Sequence, residues 1–198
     1  MKILDFIKQE KIYGIIREDD PQHACELAAA YREGGIKIIE LNAPMEALNV
    51  VSKMKDTVII QGGIITSAQA TMALSLGADA ISSPIFQQNL VRLSTCRKAF
   101  LIPSVTTPNE AYSAWKTRMP LIKIYPVAAM GGVKYIKELF KPMPFLNLLA
   151  CGSIKLEKVP EYLKAGASSV GVGRELYLND YQTIVQYARE LIKSVEKI

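Results

Sequence analysis

Short apolar runs alternate with longer amphipathic stretches along nearly the whole chain. Most of the short runs are continuously apolar rather than alternating with polar residues, which is typical of parallel strands that are covered on both faces. The stretches between them have the apolar spacing expected of helices. We predict eight strands, at Ile12–Glu18, Ile36–Asn42, Thr57–Gly63, Ala78–Pro84, Ala99–Val105, Leu121–Val127, Phe145–Gly152 and Ser168–Arg174.

The predicted helices have recognisable beginnings and ends. Asp20-Pro21 and Thr107-Pro108 each place an N-cap residue before a proline at the first helical position, and Glu110 completes a capping box with Thr107. Glycine, which can adopt the left-handed conformation that ends a helix, precedes three of the strands, at Gly35, Gly77 and Gly166. This recurrence indicates that one strand–helix unit is repeated.

Eight strands alternating with helices predict a (β/α)₈ barrel, an α/β fold in which residues 1–198 form a single domain. This fold needs about 200 residues at its smallest, so the loops must be short. An open doubly wound sheet is the alternative, but no glycine-rich dinucleotide-binding turn follows the first strand. A short helix, Ile3–Gln9, is expected to close the amino-terminal end of the barrel.

Composition and charge narrow the possible functions. The net charge is +5 and the pI is near 9.0, but the basic residues are spread along the chain, so we predict no nucleic-acid partner. No apolar run approaches the roughly 18 residues that span a bilayer, and the amino terminus does not resemble a secretory signal. A cytoplasmic location without membrane attachment is therefore expected. One histidine and three scattered cysteines argue against a zinc site or a disulfide framework.

Two charged residues interrupt apolar strands near their carboxyl ends, where enzymes of this fold carry their chemistry. Strand alternation places Ile122 and Ile124 on the helix-facing side and Lys123 in the barrel interior. Burial favours the neutral amine, which is the form that Schiff-base chemistry requires. Glu40 interrupts the second strand in the same way, and a carboxylate facing the lysine could move protons during imine formation.

These residues also have other interpretations. Lys123 and Glu40 could form a structural ion pair that fills the barrel, because such pairs also perturb pKa values. Arg17, at the end of the first strand, is either a substrate ligand or a surface arginine paired with Glu18 or Asp19.

Glycine-containing loops could supply backbone N–H groups for an anion. The loops after the seventh and eighth strands commonly bind phosphate in this fold, and here they contain Gly152-Ser153 and Gly173-Arg174. Cys151 precedes the first of these loops, but His23 falls near the start of an outer helix. A Cys–His dyad is therefore not expected.

The strand around Lys123 reads Ile122-Lys123-Ile124-Tyr125-Pro126 and is followed by Gly131-Gly132-Val133-Lys134. This resembles the lysine–aromatic–proline strand and GGVK turn of the 2-keto-3-deoxy-6-phosphogluconate aldolase family, which includes 4-hydroxy-2-oxoglutarate and 2-keto-3-deoxy-6-phosphogalactonate aldolases. Gly34–Glu40 and Leu101-Ile102-Pro103 also match in place and order, and the resemblance covers essentially the whole chain. It implies a class I aldolase that releases pyruvate and an aldehyde from a 2-keto-3-deoxy-6-phospho sugar acid or from 4-hydroxy-2-oxoglutarate.

The resemblance also implies roles for individual residues. Lys123 would form the Schiff base and Glu40 would be the general acid and base, with Tyr125 beside the imine and Arg17 on the substrate carboxylate. Further predicted substrate contacts are Pro84, Gly63, Gly152, Ser153, Gly173 and Arg174. Because the protonated imine is the electron sink, we expect no metal and no organic cofactor. The family implies a homotrimer whose ligand is a small 2-keto acid.

Four positions depart from the family's usual pattern. Ile64 and Cys151 stand where the family usually has threonine, Ser153 where it has glycine, and Arg174 where it has serine. These differences put the substrate and the level of activity in question. They leave two alternatives open: another phosphate-binding barrel enzyme, similar to thiamine-phosphate synthase, or a catalytically impaired barrel that binds a ligand.

Overall fold

The computed structural model describes residues 2–198 and contains eight parallel strands that close into a barrel in the order of the sequence. β8 closes the barrel by pairing with β1, where Val170 lies opposite Ile12. The predicted (β/α)₈ barrel is therefore confirmed. The strands are β1 (Ile12–Arg17), β2 (Ile38–Asn42), β3 (Val58–Gln61), β4 (Ala80–Ser83), β5 (Phe100–Val105), β6 (Ile122–Ile124), β7 (Leu148–Cys151) and β8 (Ser169–Val172).

Helices follow the strands and form the outer layer of the fold. Two short 3₁₀ helices, Met45–Ala47 and Leu156–Lys158, precede α3 and α8. Within residues 2–198, no helix combines the length and the apolar character that crossing a membrane requires. The α-helices are α1 (Ile3–Glu10), α2 (Pro21–Glu33), α3 (Leu48–Val51), α4 (Ser67–Ser75), α5 (Gln88–Arg97), α6 (Pro108–Lys116), α7 (Gly132–Phe140), α8 (Val159–Lys164), α9 (Arg174–Tyr177) and α10 (Tyr181–Val195).

The helix boundaries follow the signals in the sequence. Asp20 Oδ1 accepts hydrogen bonds from the backbone N–H groups of Gln22 and His23, at 2.7 and 3.0 Å. Thr107 and Glu110 form the capping box at the start of α6. The three glycines that precede strands all have positive φ angles. These local predictions are confirmed.

Buried apolar side chains form two separate clusters. The larger one fills the space between the barrel and the helices and includes Ile122 and Ile124. The smaller one lies inside the barrel. Ile7 of α1 belongs to it, with Ile3, Leu4 and Phe6 packed against it, so α1 closes the amino-terminal end as expected. The interior cluster consists of Ile7, Tyr13, Ile38, Ile60, Ala80, Ile102, Leu121 and Leu149.

The strands are shorter than the apolar pattern predicts. β6 ends at Ile124 rather than Val127, since Pro126 has no N–H with which to continue the ladder. β7 begins at Leu148 rather than Phe145. Val127 and Leu146 are nevertheless buried. The apolar pattern therefore reports burial, which extends beyond the hydrogen-bonded part of each strand.

Candidate active site

Lys123 and Glu40 meet inside the barrel near the carboxyl ends of β6 and β2. Lys123 Nζ donates hydrogen bonds to Glu40 Oε2 at 2.5 Å and to Ser82 Oγ at 2.7 Å. Only 6% of the Lys123 side chain and 5% of the Glu40 side chain are exposed. The structure thus brings together the two residues that interrupt apolar strands in the sequence.

Strand alternation explains this placement. Leu121 lies in the interior cluster, so Lys123, two residues later, also points inward. On β2, Ile38 lies in the interior cluster and Glu40 follows it on the same face. The inward orientation of both charged residues is therefore a consequence of the period of two along each strand.

Glu40 accepts hydrogen bonds from three side chains. Besides Lys123, the Tyr13 hydroxyl donates to Oε2 at 2.6 Å and Asn42 Nδ2 donates to Oε1 at 3.0 Å. Burial alone would raise the pKa of the Glu40 carboxyl, but the charge of Lys123 and these hydrogen bonds outweigh it and hold the pKa below its usual value. Glu40 is therefore held as a carboxylate beside the lysine.

Gly62 leaves room for this arrangement at the end of β3. A Cβ atom at this position would lie 2.5 Å from Asn42 Oδ1 and 2.8 Å from Glu40 Oε1. Gly63, the predicted substrate contact, is exposed at the rim with a φ of +70°. The sequence interpretation thus singled out the rim glycine, whereas the glycine that contacts the carboxylate is its neighbour.

Arg17 is exposed at the end of β1. Its positive charge acts to lower the pKa of Cys151, and β1 pairs with β8 in the barrel. Glu18, the suggested salt-bridge partner, instead accepts hydrogen bonds from the backbone N–H of Asp19 and pairs with His23. Among residues 2–198, Arg17 has no carboxylate within ion-pair distance.

Tyr125 follows β6, two residues after Lys123, and is 42% exposed. Its ring lies beside Gly152, where an added Cβ atom would be 3.0 Å from Tyr125 Cδ2. The Thr106 hydroxyl donates to the Tyr125 carbonyl oxygen at 2.8 Å. Tyr125 therefore lies at the mouth of the barrel, between the end of β6 and the loop after β7.

The four residues predicted to bind phosphate lie in two loops that follow neighbouring strands. Gly152 and Ser153 follow β7 with φ angles of +109° and +54°, and Gly173 and Arg174 follow β8, with Arg174 opening α9. Ser153 and Arg174 are exposed. The two loops therefore follow neighbouring strands at the same end of the barrel as Lys123.

Two further residues from the sequence analysis lie at the ends of β3 and β4. Pro84 is exposed at the rim, two residues after Ser82. Ile64 is 1% exposed and packs in the outer cluster rather than inside the barrel. The change from the family's threonine to Ile64 therefore places no apolar side chain in the barrel interior.

Three residues of the site were not singled out from the sequence. Tyr13, Ser82 and Asn42 each donate to or accept from the Lys123–Glu40 pair. Ser82 is one of two serines in β4, whose sequence is Ala80-Ile81-Ser82-Ser83, so it does not stand out as a single polar residue in an apolar strand as Lys123 and Glu40 do. Tyr13 and Asn42 carry weaker signals, because tyrosine is common in strands and asparagine is common at strand ends.

Cys151 and His23 lie apart, in accord with the prediction that they form no dyad. Cys151 faces the interior and is 6% exposed, and burial raises the pKa of its thiol to about 11. His23 Nδ1 lies 2.8 Å from Glu18 Oε2 on the surface. Within the described residues, no group of three or more His, Cys, Asp or Glu side chains is arranged to hold a metal ion.

A model of the family described as "Aldolase: KDPG and KHG aldolase" matches residues 3–190. The chain is 25% identical over 206 aligned positions to the 2-dehydro-3-deoxy-phosphogluconate aldolase of Haemophilus influenzae, an alignment that covers 98% of this chain and 97% of that protein. It is also 25% identical over 173 positions to the 2-dehydro-3-deoxy-6-phosphogalactonate aldolase of Escherichia coli, covering 84% of each.

The fold is shared with solved structures of such proteins. KDPG aldolase from Legionella pneumophila, whose structure holds pyruvate as a covalent carbinolamine intermediate, superposes with a TM-score of 0.86 at 24% identity, over 96% of this chain and 98% of that one. The resemblance carried by the Lys123 strand therefore agrees with a family match over nearly the whole chain, and the protein belongs to the KDPG and KHG aldolase family of carbon–carbon lyases.

Proposed function

We propose that the protein is a class I aldolase that cleaves a 2-keto-3-deoxy-6-phospho sugar acid, or 4-hydroxy-2-oxoglutarate, to pyruvate and an aldehyde through a Schiff base on Lys123. The observation that carries this proposal is the Lys123 amine, held in the barrel interior 2.5 Å from Glu40 Oε2. A buried ion pair contributes little net stability compared with apolar residues of similar size. Chemistry therefore accounts for this pair better than stability does.

Imine formation begins when Lys123 Nζ transfers a proton to Glu40 and attacks the C2 keto carbon of the substrate. The product is a carbinolamine, in which nitrogen is bonded to C2 and one of the nitrogen's protons has moved to the keto oxygen, which is now a hydroxyl. Glu40 returns its proton to this hydroxyl, which leaves as water, and a protonated imine remains. Glu40 is a carboxylate again at the end of this step.

Carbon–carbon cleavage then uses the same two residues. Glu40 accepts the proton of the C4 hydroxyl, the C3–C4 bond breaks, and its electron pair moves into the protonated imine to form an enamine. The aldehyde leaves with C4. Glu40 gives the proton to C3 of the enamine, and water hydrolyses the resulting imine to pyruvate and free Lys123.

The anionic ends of the substrate require donors at the mouth. Arg17 is proposed to bind the carboxylate, because it is an exposed cation at the end of β1 without a carboxylate partner among the described residues. The loops that contain Gly152-Ser153 and Gly173-Arg174 are proposed to bind the phosphate. They are adjacent, and the guanidinium of Arg174 can add a charge-assisted hydrogen bond.

Borohydride trapping tests the Schiff base directly. Wild-type protein incubated with pyruvate and borohydride should gain one reduced pyruvyl group, and peptide mapping by mass spectrometry should locate it on Lys123. Lys123→Met should gain none. Lys37→Met serves as the matched control, because Lys37 pairs with Glu10 outside the site, and it should be labelled on Lys123 as fully as the wild type.

Absence of an adduct on wild-type protein, under conditions that label a known class I aldolase, would refute the proposed function. It would favour the two alternatives left open by the sequence. An adduct distributed over several surface lysines would refute the special role of Lys123.

A further inference from the structure

Tyr13 is the largest polar side chain in the barrel interior, and the proposed reaction assigns it no step. It is fully buried and belongs to the interior cluster, which also contains Ile38 and Leu121. Its hydroxyl nevertheless reaches the carboxyl-terminal half of the barrel and donates to Glu40 Oε2 at 2.6 Å. A purely apolar residue such as phenylalanine would fill the same space, so the hydroxyl itself requires an explanation.

The phenol and the lysine amine share one acceptor atom. Glu40 Oε2 accepts from Tyr13 and from Lys123 Nζ, while Asn42 binds the other oxygen. The face of the Tyr13 ring also lies 5.4 Å from Lys123 Nζ, measured to the ring centroid, which is within the range of a cation–π interaction. One side chain therefore contacts both members of the pair.

The two donors on Oε2 behave differently during catalysis. Lys123 is neutral in the carbinolamine and in the enamine, and its nitrogen keeps a single N–H in the protonated imine, so its hydrogen bond to Glu40 cannot persist unchanged. Tyr13 takes part in no covalent step. Burial and the neighbouring Glu40 charge raise the pKa of Tyr13 well above its usual value, so the hydroxyl keeps its proton and remains a donor at any working pH.

We propose that Tyr13 is a positioning residue for Glu40: its buried hydroxyl holds Oε2 in place, and keeps the carboxylate form favoured, at the carbinolamine and enamine stages, in which Lys123 carries no charge. This inference rests on the proposed function. It assigns to β1 a part in the chemistry that is separate from the substrate-binding role proposed for Arg17 on the same strand.

Tyr13→Phe isolates the hydroxyl, because the ring and its contact with Lys123 are retained. The rate of pyruvate trapping should fall by about tenfold to a hundredfold, the equivalent of one hydrogen bond to a charged group. The acid limb of the pH–rate profile should also move to higher pH. Loss of the donor raises the pKa of Glu40, so at a given acidic pH a larger fraction of the protein carries a protonated Glu40 carboxyl.

Tyr31→Phe is the matched control. Tyr31 is also fully buried, but its hydroxyl donates to the Ile15 backbone oxygen at 3.1 Å and its ring packs in the outer cluster. This variant should lose stability to a similar extent and keep both the trapping rate and the pH profile of the wild type. If Tyr13→Phe also keeps both while only its melting temperature falls, Tyr13 is merely structural and the inference is wrong.

A second measurement separates this inference from the proposed function. In unliganded protein with ¹³C-labelled glutamate, the Glu40 carboxyl resonance should titrate at higher pH in Tyr13→Phe than in wild type or Tyr31→Phe. An unchanged titration overturns the inference even if the wild type traps pyruvate normally. A wild type that traps no pyruvate refutes the aldolase proposal and the catalytic role of Tyr13 together, whatever the titration shows.

Discussion

The barrel interior has two layers that lie on the same strands and differ in chemistry. Near the amino-terminal end, which α1 closes, four strands and the residue before β6 present buried apolar side chains: Ile38, Ala80, Ile102, Leu149 and Leu121. Two residues further along, the same faces carry polar or reactive side chains, all buried: Glu40, Ser82, Ser104, Lys123 and Cys151. A step of two residues, about 6.6 Å along a strand, separates a packed core from the layer of polar groups in which we propose that proton transfer takes place.

The two layers make opposite contributions to the stability of the fold. The apolar layer stabilises the fold because its side chains leave water without losing hydrogen bonds. The polar layer costs desolvation free energy, which its hydrogen bonds and opposite charges offset. We therefore expect substitutions in the polar layer to affect mainly rate, and substitutions in the apolar layer to affect mainly stability.

The largest expected effect on rate comes from Glu40→Gln, compared with Ile38→Val on the same strand and face. Glu40→Gln should fold and slow aldol cleavage by about 10²–10⁴-fold, the usual contribution of general acid–base catalysis. Ile38→Val should cleave at nearly the wild-type rate. Steady-state assays of pyruvate release decide this, and near-normal turnover by Glu40→Gln would show that Glu40 is only a structural partner of Lys123.

An effect on stability is expected from Leu121→Ala, two residues before Lys123. Loss of a fully buried leucine should lower the free energy of unfolding by about 2–5 kcal/mol. Leu178→Ala, at a position that is 69% exposed, should change it by less than about 0.5 kcal/mol. Urea denaturation measures both, and equal effects in the two variants would contradict the stabilising role of the apolar layer.

The smallest effect is expected at the rim, where side chains are exposed. Arg174→Ala should lower kcat/KM for 6-phosphorylated substrates by about tenfold to a hundredfold, the loss of one charge-assisted hydrogen bond. It should leave 4-hydroxy-2-oxoglutarate, which has no phosphate, nearly unaffected. Arg17→Ala should weaken both substrates about equally, because both have the carboxylate.

The two arginine variants control for each other. Unchanged selectivity in Arg174→Ala would remove Arg174 from the phosphate site. A gain in activity on phosphorylated substrates would show that Arg174 obstructs the mouth.

The homotrimer expected from the family and the residues of the phosphate site remain predictions, because they concern groups outside the isolated chain. The inward orientation of Lys123 and Glu40 could be predicted, since each interrupts an apolar strand and alternation leaves only one face free for it. The number of strands and the caps at Asp20 and Thr107 could also be predicted, because they depend on residues that are close together in the sequence.

Only the tertiary structure decided which side chains share the polar layer. Tyr13 donates to Glu40, 27 residues later in the sequence, and Ser82 accepts from Lys123, 41 residues later. No local sequence pattern predicts either contact. Closure of the barrel sets how far each strand is shifted against the next. Because of this shift, Tyr13, whose ring lies in the apolar layer, reaches the Glu40 carboxylate in the polar layer. The sequence by itself therefore determined the number of strands, their faces and the inward-facing pair of Lys123 and Glu40. The hydrogen-bonded surroundings of that pair were decided by the closed geometry of the barrel, because contacts between distant strands depend on register.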